Sequence, residues 1–315
     1  MFFIHLKMST TLSCLNAIKR TNQTRPMVKP LYSDTVFHGD HSHSMISMGD
    51  SPMKGGRMFV EKYRKMALEE DYDMHLVYGV FSDNYTEIYN GNTKNITNIN
   101  IDECEKAMTP SGMTKFYDTA IEQLEKQAER IETRYHSLPK KVKKLVDLNT
   151  FSSVVFAILT DGDDNLSIQN AYVLKKHLEN HKKKYGARII FMAANMNAVN
   201  IGQSYGLNKD ECLQMGSDPH YSFNAMNNMT DACIRQSSQS HNTEELITPL
   251  MRMNSCSLDE IDTFVNPPFV NNPILHRGNN QCIPRLQRTR TLSSNIHSDI
   301  KLPSIDLCSD FSDNE

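Results

Sequence analysis

Short apolar runs alternate with longer amphipathic segments from about residue 34 to residue 238. This alternation predicts a parallel sheet with helices between successive strands. The expected strands are residues 35–39, 75–81, 87–89, 153–159 and 188–193, with a weaker one at 212–215. The expected helices, in which apolar side chains recur at helical spacing, are residues 58–69, 116–135, 171–185 and 222–235.

The second and third apolar runs are too close together for a crossover helix. HLVYGVFSD is followed almost at once by YTEIYN, so the two runs predict a β-hairpin, which puts one antiparallel strand at the edge of the sheet. The predicted fold class is therefore α/β, with a doubly wound, mostly parallel sheet and one antiparallel edge strand.

The composition changes after about residue 238. The following residues are rich in Asn, Ser and Pro and lack sustained periodicity, which is typical of a disordered tail. The expected organisation is an N-terminal extension at 1–29, one domain at 30–238 and a disordered tail at 239–315. In this tail, Arg288 and Arg290 precede Ser293 at a spacing that basophilic kinases accept. Ser293 is therefore a candidate phosphosite, and an unmodified tail is the alternative.

Charge, cysteine usage and hydropathy indicate where in the cell the protein acts and which classes of partner are not expected. The 315 residues include 34 basic and 37 acidic side chains, for a formal net charge of −3, which favours neither a polyanion nor a membrane surface. The lysine runs at 140–144 and 182–184 are interpreted as solvated faces, so no nucleic acid is expected. Scattered cysteines without a CxxC pair indicate reduced thiols, and no apolar run has the length of a spanning helix or forms a convincing leader. We expect a soluble intracellular protein, cytoplasmic or nuclear.

Oxygen-bearing side chains follow two predicted strands and precede one predicted helix. They are Asp40, Ser42 and Ser44 in the pattern D-x-S-x-S, Thr114 in TPSGMT, and Asp161 in ILTDG. The carboxyl ends of parallel strands form the ligand crevice of open α/β sheets. Two carboxylates and three hydroxyls suit a hard cation such as Mg²⁺, which takes about six oxygen ligands. The structural alternative is that the hydroxyls cap turns and Asp161 caps a helix.

The ordered set DHSHS, GMT and ILTDG resembles the metal-ion-dependent adhesion site (MIDAS) of von Willebrand factor type A domains. The resemblance extends to GMTKFYDTAIEQL, ARIIFMAAN and IGQSYGLN, within about residues 30–238. It implies direct metal binding by Ser42 and Ser44, direct or water-mediated binding by Asp40 and Asp161, and engagement of Thr114 in the ligand-competent state. It also implies Mg²⁺ or Mn²⁺ as the cofactor and a protein partner whose Asp or Glu completes the coordination.

One position departs from the family pattern. His43 stands between the two serines, where family members commonly have Gly, so the loop must accept a side chain where a compact backbone is usual. Because imidazole changes its charge near neutral pH, His43 is a candidate modulator of the site.

Other site chemistries are weaker matches to the sequence. A histidine-ligated transition metal would use His38, His41 and His43. We interpret them as exposed residues at the rim, because in an extended segment His41 and His43 point away from the oxygen-bearing side chains. The absence of G-x-S-x-G argues against a serine hydrolase. An EF-hand is excluded by Leu166 and Tyr172 at its sixth and twelfth positions.

Three functional hypotheses follow. The main one is a non-enzymatic, metal-dependent protein-binding module in an intracellular complex. The first alternative is a Mg²⁺-dependent phosphoryl-transfer enzyme that uses Asp161 and Asp163. Against it, the chain has no GxxxxGK[ST] phosphate loop, and Asp163 and Asp164 are interpreted as solvated loop acids. The second alternative is a metal-independent scaffold that keeps only the fold.

Overall fold

The structure is a computed structural model that describes residues 30–70, 72–162, 164–216, 218–238 and 246–256. Its strands are β1 Tyr32–Asp40, β2 Asp73–Phe81, β3 Tyr85–Asn92, β4 Ser152–Thr160, β5 Arg188–Ala194 and β6 Cys212–Met215. Its α-helices are α1 Ser51–Glu69, α2 Ile101–Ala107, α3 Phe116–Ser137, α4 Lys140–Lys143, α5 Ala171–Tyr185, α6 Ala198–Ser204, α7 Pro219–Ser237 and α8 Pro249–Ser255. Short 3-10 helices span His43–Met48, Ile96–Asn98 and Lys209–Glu211.

The described strands form one sheet in the order β3-β2-β1-β4-β5-β6. β1 is central and pairs in parallel with β2 and β4, and the β4–β5 and β5–β6 pairs are parallel as well. β2 and β3 are antiparallel, as the short connection between them predicts. The predicted fold class, a mostly parallel α/β sheet with one antiparallel edge strand, is confirmed.

Two apolar cores cover opposite faces of this sheet. One packs against α1, α2 and α7, and the other against α3, α5 and α6. Every residue of β1 and β4 is buried, as expected for central parallel strands that are covered on both faces. The carboxyl ends of these two buried strands therefore lie side by side at one edge of the sheet.

A pair of glycines lets α1 pack closely against its neighbours. α1 begins at Ser51, earlier than predicted, because two glycines inside a helix weaken the helical signal in the sequence. A Cβ on Gly55 would lie 2.6 Å from the Met226 side chain of α7, and one on Gly56 would lie 2.3 Å from the Tyr78 hydroxyl of β2. The close approach of α1 to α7 and to the sheet thus depends on the absence of both side chains.

Part of the predicted tail contacts the domain. Leu246 and Ile247 are buried in the same core as α7, and the Arg252 side chain of α8 donates to the carbonyl oxygens of Lys209 and Cys212. The N-terminal extension at 1–29, and the tail beyond residue 256 with its candidate phosphosite Ser293, lie outside the described residues. No helix in the described ranges is both long and apolar enough to cross a membrane.

Candidate metal centre

The first loop of the candidate site starts where the central strand ends. Asp40 is the last residue of β1, and its Oδ1 accepts a hydrogen bond from the Ser42 N–H at 2.7 Å. Its Oδ2 accepts a second one from the Thr160 hydroxyl of β4 at 2.8 Å. The chain then turns into a short 3-10 helix, and the Ser42 and Ser44 hydroxyl oxygens lie 2.9 Å apart.

Asp161 comes directly after β4, the strand beside β1. Its Oδ1 accepts a hydrogen bond from the Ser44 hydroxyl at 2.7 Å, so side chains from the two strand ends meet. Its Oδ2 is buried and has no hydrogen-bond partner among the described residues. A buried carboxylate oxygen without a partner is costly, and a cation at this position would satisfy it.

Two buried carboxyl groups share the site without a lysine or arginine partner in the described chain. Asp40 and Asp161 are 0% and 4% exposed, and in the described part of the chain neither forms an ion pair with a lysine or arginine. Burial, helped by the Asp40 charge, raises the pKa of Asp161 to about 6 against the hydrogen bond from Ser44. Burial also raises the pKa of Asp40, against hydrogen bonds from Ser42 and Thr160. Two neighbouring carboxyl groups whose charged forms burial disfavours suit a divalent cation, which would stabilise those charged forms.

Thr114 reaches this region from the loop that precedes α3. The loop is fixed to the ends of β1 and β2, because the His43 N–H donates to the Gly112 carbonyl at 3.0 Å and the Lys115 N–H donates to the Ser82 carbonyl at 2.9 Å. Thr114 itself is buried. The structure therefore brings the third oxygen-bearing loop to the same edge of the sheet as the other two.

Gly162 marks the open space between two of the hydroxyl groups. A Cβ on this residue would lie 3.4 Å from the Ser44 hydroxyl oxygen and 3.9 Å from that of Thr114. Both oxygens therefore lie within 4 Å of one point next to Asp161. A side chain at position 162 would fill that space, which supports the fit of the site to a small ion.

The backbone of Thr114 is held by the loop that follows β4. Its N–H donates to the Asn165 side-chain oxygen at 3.0 Å. Its carbonyl accepts from the N–H groups of Asn165 and Leu166 at 3.0 and 3.1 Å. The position of Thr114 is thus coupled to the loop that also carries Asp161.

Asp164 caps α3 from a distant part of the sequence. The residue before α3, Lys115, makes no side-chain cap. Instead, the Asp164 carboxylate accepts from the Tyr117 N–H at 2.8 Å and from the N–H and hydroxyl of Ser167 at 2.9 and 2.6 Å. The Ser167 hydroxyl oxygen also accepts from the Asp118 N–H at 3.0 Å. The bonds from the Tyr117 and Asp118 N–H groups satisfy donors that the first turn of α3 leaves free.

The interpretation of Asp164 as a solvated loop acid is therefore wrong. Its carboxylate is half-buried and occupied by three hydrogen-bond donors. No local sequence pattern indicates this role, because the donor at Tyr117 lies 47 residues away. Asp163, on which the phosphoryl-transfer hypothesis depends, lies outside the described residues.

Replacing Asp164 by Ala is expected to weaken both the fold and the candidate site. Loss of the cap should lower the free energy of unfolding by about 1–2 kcal/mol, and the looser Thr114 loop should weaken Mn²⁺ binding by about 10- to 100-fold. Urea unfolding and isothermal titration with Mn²⁺ measure the two effects. An Asp164→Asn variant, which keeps one acceptor oxygen, should lose less of both; unchanged Mn²⁺ affinity in Asp164→Ala would contradict the coupling.

The three histidines in and after the end of β1 do not form a site. His38 is fully buried in β1, where its ring stacks on Phe81 and its Nε2 lies 3.2 Å from the Thr119 hydroxyl. Burial lowers the pKa of His38 to about 3. Its interpretation as an exposed rim residue is wrong, because the central strand is covered on both faces. His41 is half-buried and His43 is exposed, and no three His, Cys, Asp or Glu side chains of the described chain cluster as a metal site.

His43 is accommodated in the loop without backbone strain. Among the described non-glycine residues, only Asn195 has a positive φ, so His43 does not adopt a conformation that favours Gly. Its side chain is exposed while its N–H anchors the Thr114 loop. The departure from the family pattern is therefore structurally tolerated, and a role of His43 as modulator stays a prediction.

The strand order, the antiparallel edge strand and the oxygen-bearing loops after β1 and β4 together identify the fold. It is von Willebrand factor type A-like. The resemblance inferred from the sequence is thus confirmed at the level of the fold. A scan against protein-family models finds no match, and a search of the curated proteins finds none either.

Several solved structures are similar to this chain. Proximal thread matrix protein 1 from the mussel byssus matches with a TM-score of 0.42 and 14% identity, over 67% of this chain and 47% of that one. Von Willebrand factor type A from Catenulispora acidiphila matches with a TM-score of 0.39 and 13% identity, over 64% and 42%. One structure of the mussel protein is described as having a zinc-occupied MIDAS motif. The chain spans less than half of the length of these proteins, and the fold assignment rests on the strand order.

Proposed function

We propose that this chain is a protein-binding module whose site takes a divalent cation, Mg²⁺ or Mn²⁺, and whose partner donates an Asp or Glu carboxylate to that cation. The observation that carries the proposal is the buried carboxyl of Asp161. One of its oxygens is bonded to Ser44, and the other has no partner among the described residues. The open space beside Gly162 supports the same proposal.

The oxygen-bearing residues would bind the cation in different ways. The hydroxyls of Ser42 and Ser44 would bind it directly, Asp40 and Asp161 directly or through water, and Thr114 in the ligand-competent state. A divalent cation held largely by neutral hydroxyls supplies an electrophilic position that an external carboxylate fills. The protein side chains do no chemistry on the partner, so the proposed role is binding and not catalysis. An intracellular location stays a prediction from cysteine usage.

The test of this proposal combines calorimetry with partner capture. We expect the protein to bind Mn²⁺ in isothermal titration, and to retain a partner from extract in Mg²⁺ but release it in EDTA. A Gly162→Ala variant should bind Mn²⁺ about 10- to 100-fold more weakly, because the added methyl group enters the space between Ser44 and Thr114 at ordinary contact distance. Its thermal unfolding should stay close to wild type.

The alternatives predict different results in the same experiment. Asp163→Ala should leave Mn²⁺ binding and capture nearly unchanged, whereas the phosphoryl-transfer hypothesis requires Asp163. A partner held equally well in EDTA would favour the metal-independent scaffold. Absence of both Mn²⁺ binding and any metal-sensitive partner would refute the proposal.

A further inference from the structure

Exposed apolar side chains occur in the loops of the proposed metal site. The described part of the chain has nine large apolar side chains exposed to solvent, and four of them lie in the loops that carry the proposed cation ligands. These four are Ile46, Met113, Leu166 and Ile168, with exposed fractions of 54, 49, 38 and 89%. Single exposed apolar residues are ordinary, but such a concentration at one edge is typical of a protein-binding surface.

Each of the first three side chains is adjacent to a proposed ligand of the cation. Ile46 follows Ser44 by two positions and Met113 directly precedes Thr114, and the Leu166 N–H donates to the Thr114 carbonyl at 3.1 Å. Successive Cα atoms are about 3.8 Å apart. The Cα atoms of Ile46 and Met113 therefore lie within about 8 Å of the Cα atom of a proposed ligand residue. An extended peptide covers about the same distance in one or two residues.

Ile46 and Met113 do not contribute to the core, because other residues of their own segments are buried there. In the 3-10 helix His43–Met48, Met45 and Met48 are fully buried, whereas Ile46 is more than half exposed. In the next loop, Thr114 is buried while Met113 is about half exposed. The core therefore already has its apolar residues from these segments, and Ile46 and Met113 are available to a partner.

We infer that the partner presents its Asp or Glu within an extended peptide segment in which residues one or two positions away are apolar and pack on Ile46, Met113 and Leu166. The inference rests on the proposed function, because the cation places the acid. Two features select this occupant. The acidic group is complementary to the bound cation, and the apolar rim continues directly from the site, so one short segment engages both. An acid with polar neighbours leaves the rim exposed and binds more weakly.

The inference is tested by selecting peptides from a random display library. The full chain is immobilised in Mg²⁺, and bound peptides are released with EDTA. We expect the released pool to contain Asp or Glu with Leu, Ile, Val, Met or Phe within two positions. An Ile46→Ser/Met113→Ser variant should bind these peptides at least about tenfold more weakly, with unchanged Mn²⁺ affinity.

A matched variant controls for the loss of exposed apolar surface. Leu68 and Leu145 are 56 and 50% exposed, close to the fractions of Ile46 and Met113. They lie in segments that lead into β2 and β4, at the opposite edge of the sheet. The Leu68→Ser/Leu145→Ser variant should therefore bind the selected peptides as the wild type does.

The outcomes separate this inference from the proposed function. Acidic peptides with polar neighbours, or equal binding by the Ile46→Ser/Met113→Ser variant, would overturn the inference and leave the metal-dependent module intact. Mn²⁺ binding without any EDTA-released peptide would do the same. Mg²⁺-dependent self-association that this variant abolishes would assign the rim to a second copy of the chain and overturn the inference. Absence of Mn²⁺ binding would refute the proposed function and the inference with it.

Discussion

In an Asp161→Asn variant, we expect divalent cations to lose their stabilising effect, while the metal-free protein unfolds at a temperature no lower than that of the wild type. Burial raises the pKa of Asp161 to about 6, which means that the fold disfavours its charged form. A neutral amide of the same shape removes that penalty, and its oxygen can still accept the hydrogen bond from Ser44. Function and stability therefore respond in opposite directions at this residue.

The expected size of the effect follows from binding linkage. A cation at 100 times its dissociation constant stabilises the wild type by about 2.7 kcal/mol, and the variant should show almost none of this. Thermal unfolding in Mn²⁺ and in EDTA measures both parts of the prediction. Asp147→Asn is the control, because Asp147 is an exposed acid before β4, at the opposite edge of the sheet. A cation effect that survives in Asp161→Asn would remove this residue from the proposed site.

Periodicity in the sequence predicted the six strands and the four long helices. The strand after residue 152 is recognisable because a central parallel strand is apolar along its whole length, as in SSVVFAILT. The candidate site was predictable from the same strands, because parallel strands that are neighbours end at the same edge. Asp40 and Asp161 were thus expected to be close together, and the Ser44 hydroxyl that binds Asp161 in the structure joins their two loops.

The interactions that the sequence did not predict are tertiary. Asp164 caps α3 across 47 residues, and in the sequence it is one of three acids in DGDDN. In the sequence, His38 cannot be distinguished from the neighbouring His41 and His43. In the structure it belongs to a strand that is covered on both faces, and its side chain points into an aromatic core. The buried ion pair between Asp34 and Arg130 joins residues 96 positions apart. In each case the partner is set by packing, which local pattern does not encode.

Replacing Arg130 by Met is expected to lower the free energy of unfolding by about 3–5 kcal/mol. Asp34 is fully buried in β1, and Arg130 of α3 donates to both of its carboxylate oxygens, at 3.0 and 2.9 Å. Tyr32 and Gln127 add hydrogen bonds at 2.8 and 3.0 Å. Without the guanidinium group, a buried carboxylate would lose its ion-pair partner.

Arg130→Met should change the pH dependence of the free energy of unfolding as well as its size. Burial raises the pKa of Asp34, but the Arg130 charge and the hydrogen bonds outweigh it and hold the pKa below its usual value. A depressed acid pKa gives stability that is present above the unfolded-state pKa of about 3.9 and is lost as the pH falls through the folded value. In Arg130→Met the largest opposing effect is removed, and burial is opposed by the weaker effects of the His75 charge and the Gln127 hydrogen bond. The pKa of Asp34 should therefore rise above its unfolded-state value, so stability should fall as the pH rises above about 4.

Two further variants distinguish the buried pair from charge loss in general. Lys62→Met removes an ion pair between Lys62 and Asp231, whose side chains are 37 and 45% exposed. This change should lower the free energy of unfolding by less than about 1 kcal/mol.

The double variant Asp34→Asn/Arg130→Met removes both buried charges and should be more stable than Arg130→Met alone. Asp34 precedes Asp40 by six strand residues, about 20 Å, so folded Arg130→Met protein should still bind Mn²⁺ normally. A double variant as unstable as the single one would mean that Arg130 stabilises the fold through packing and not through its charge.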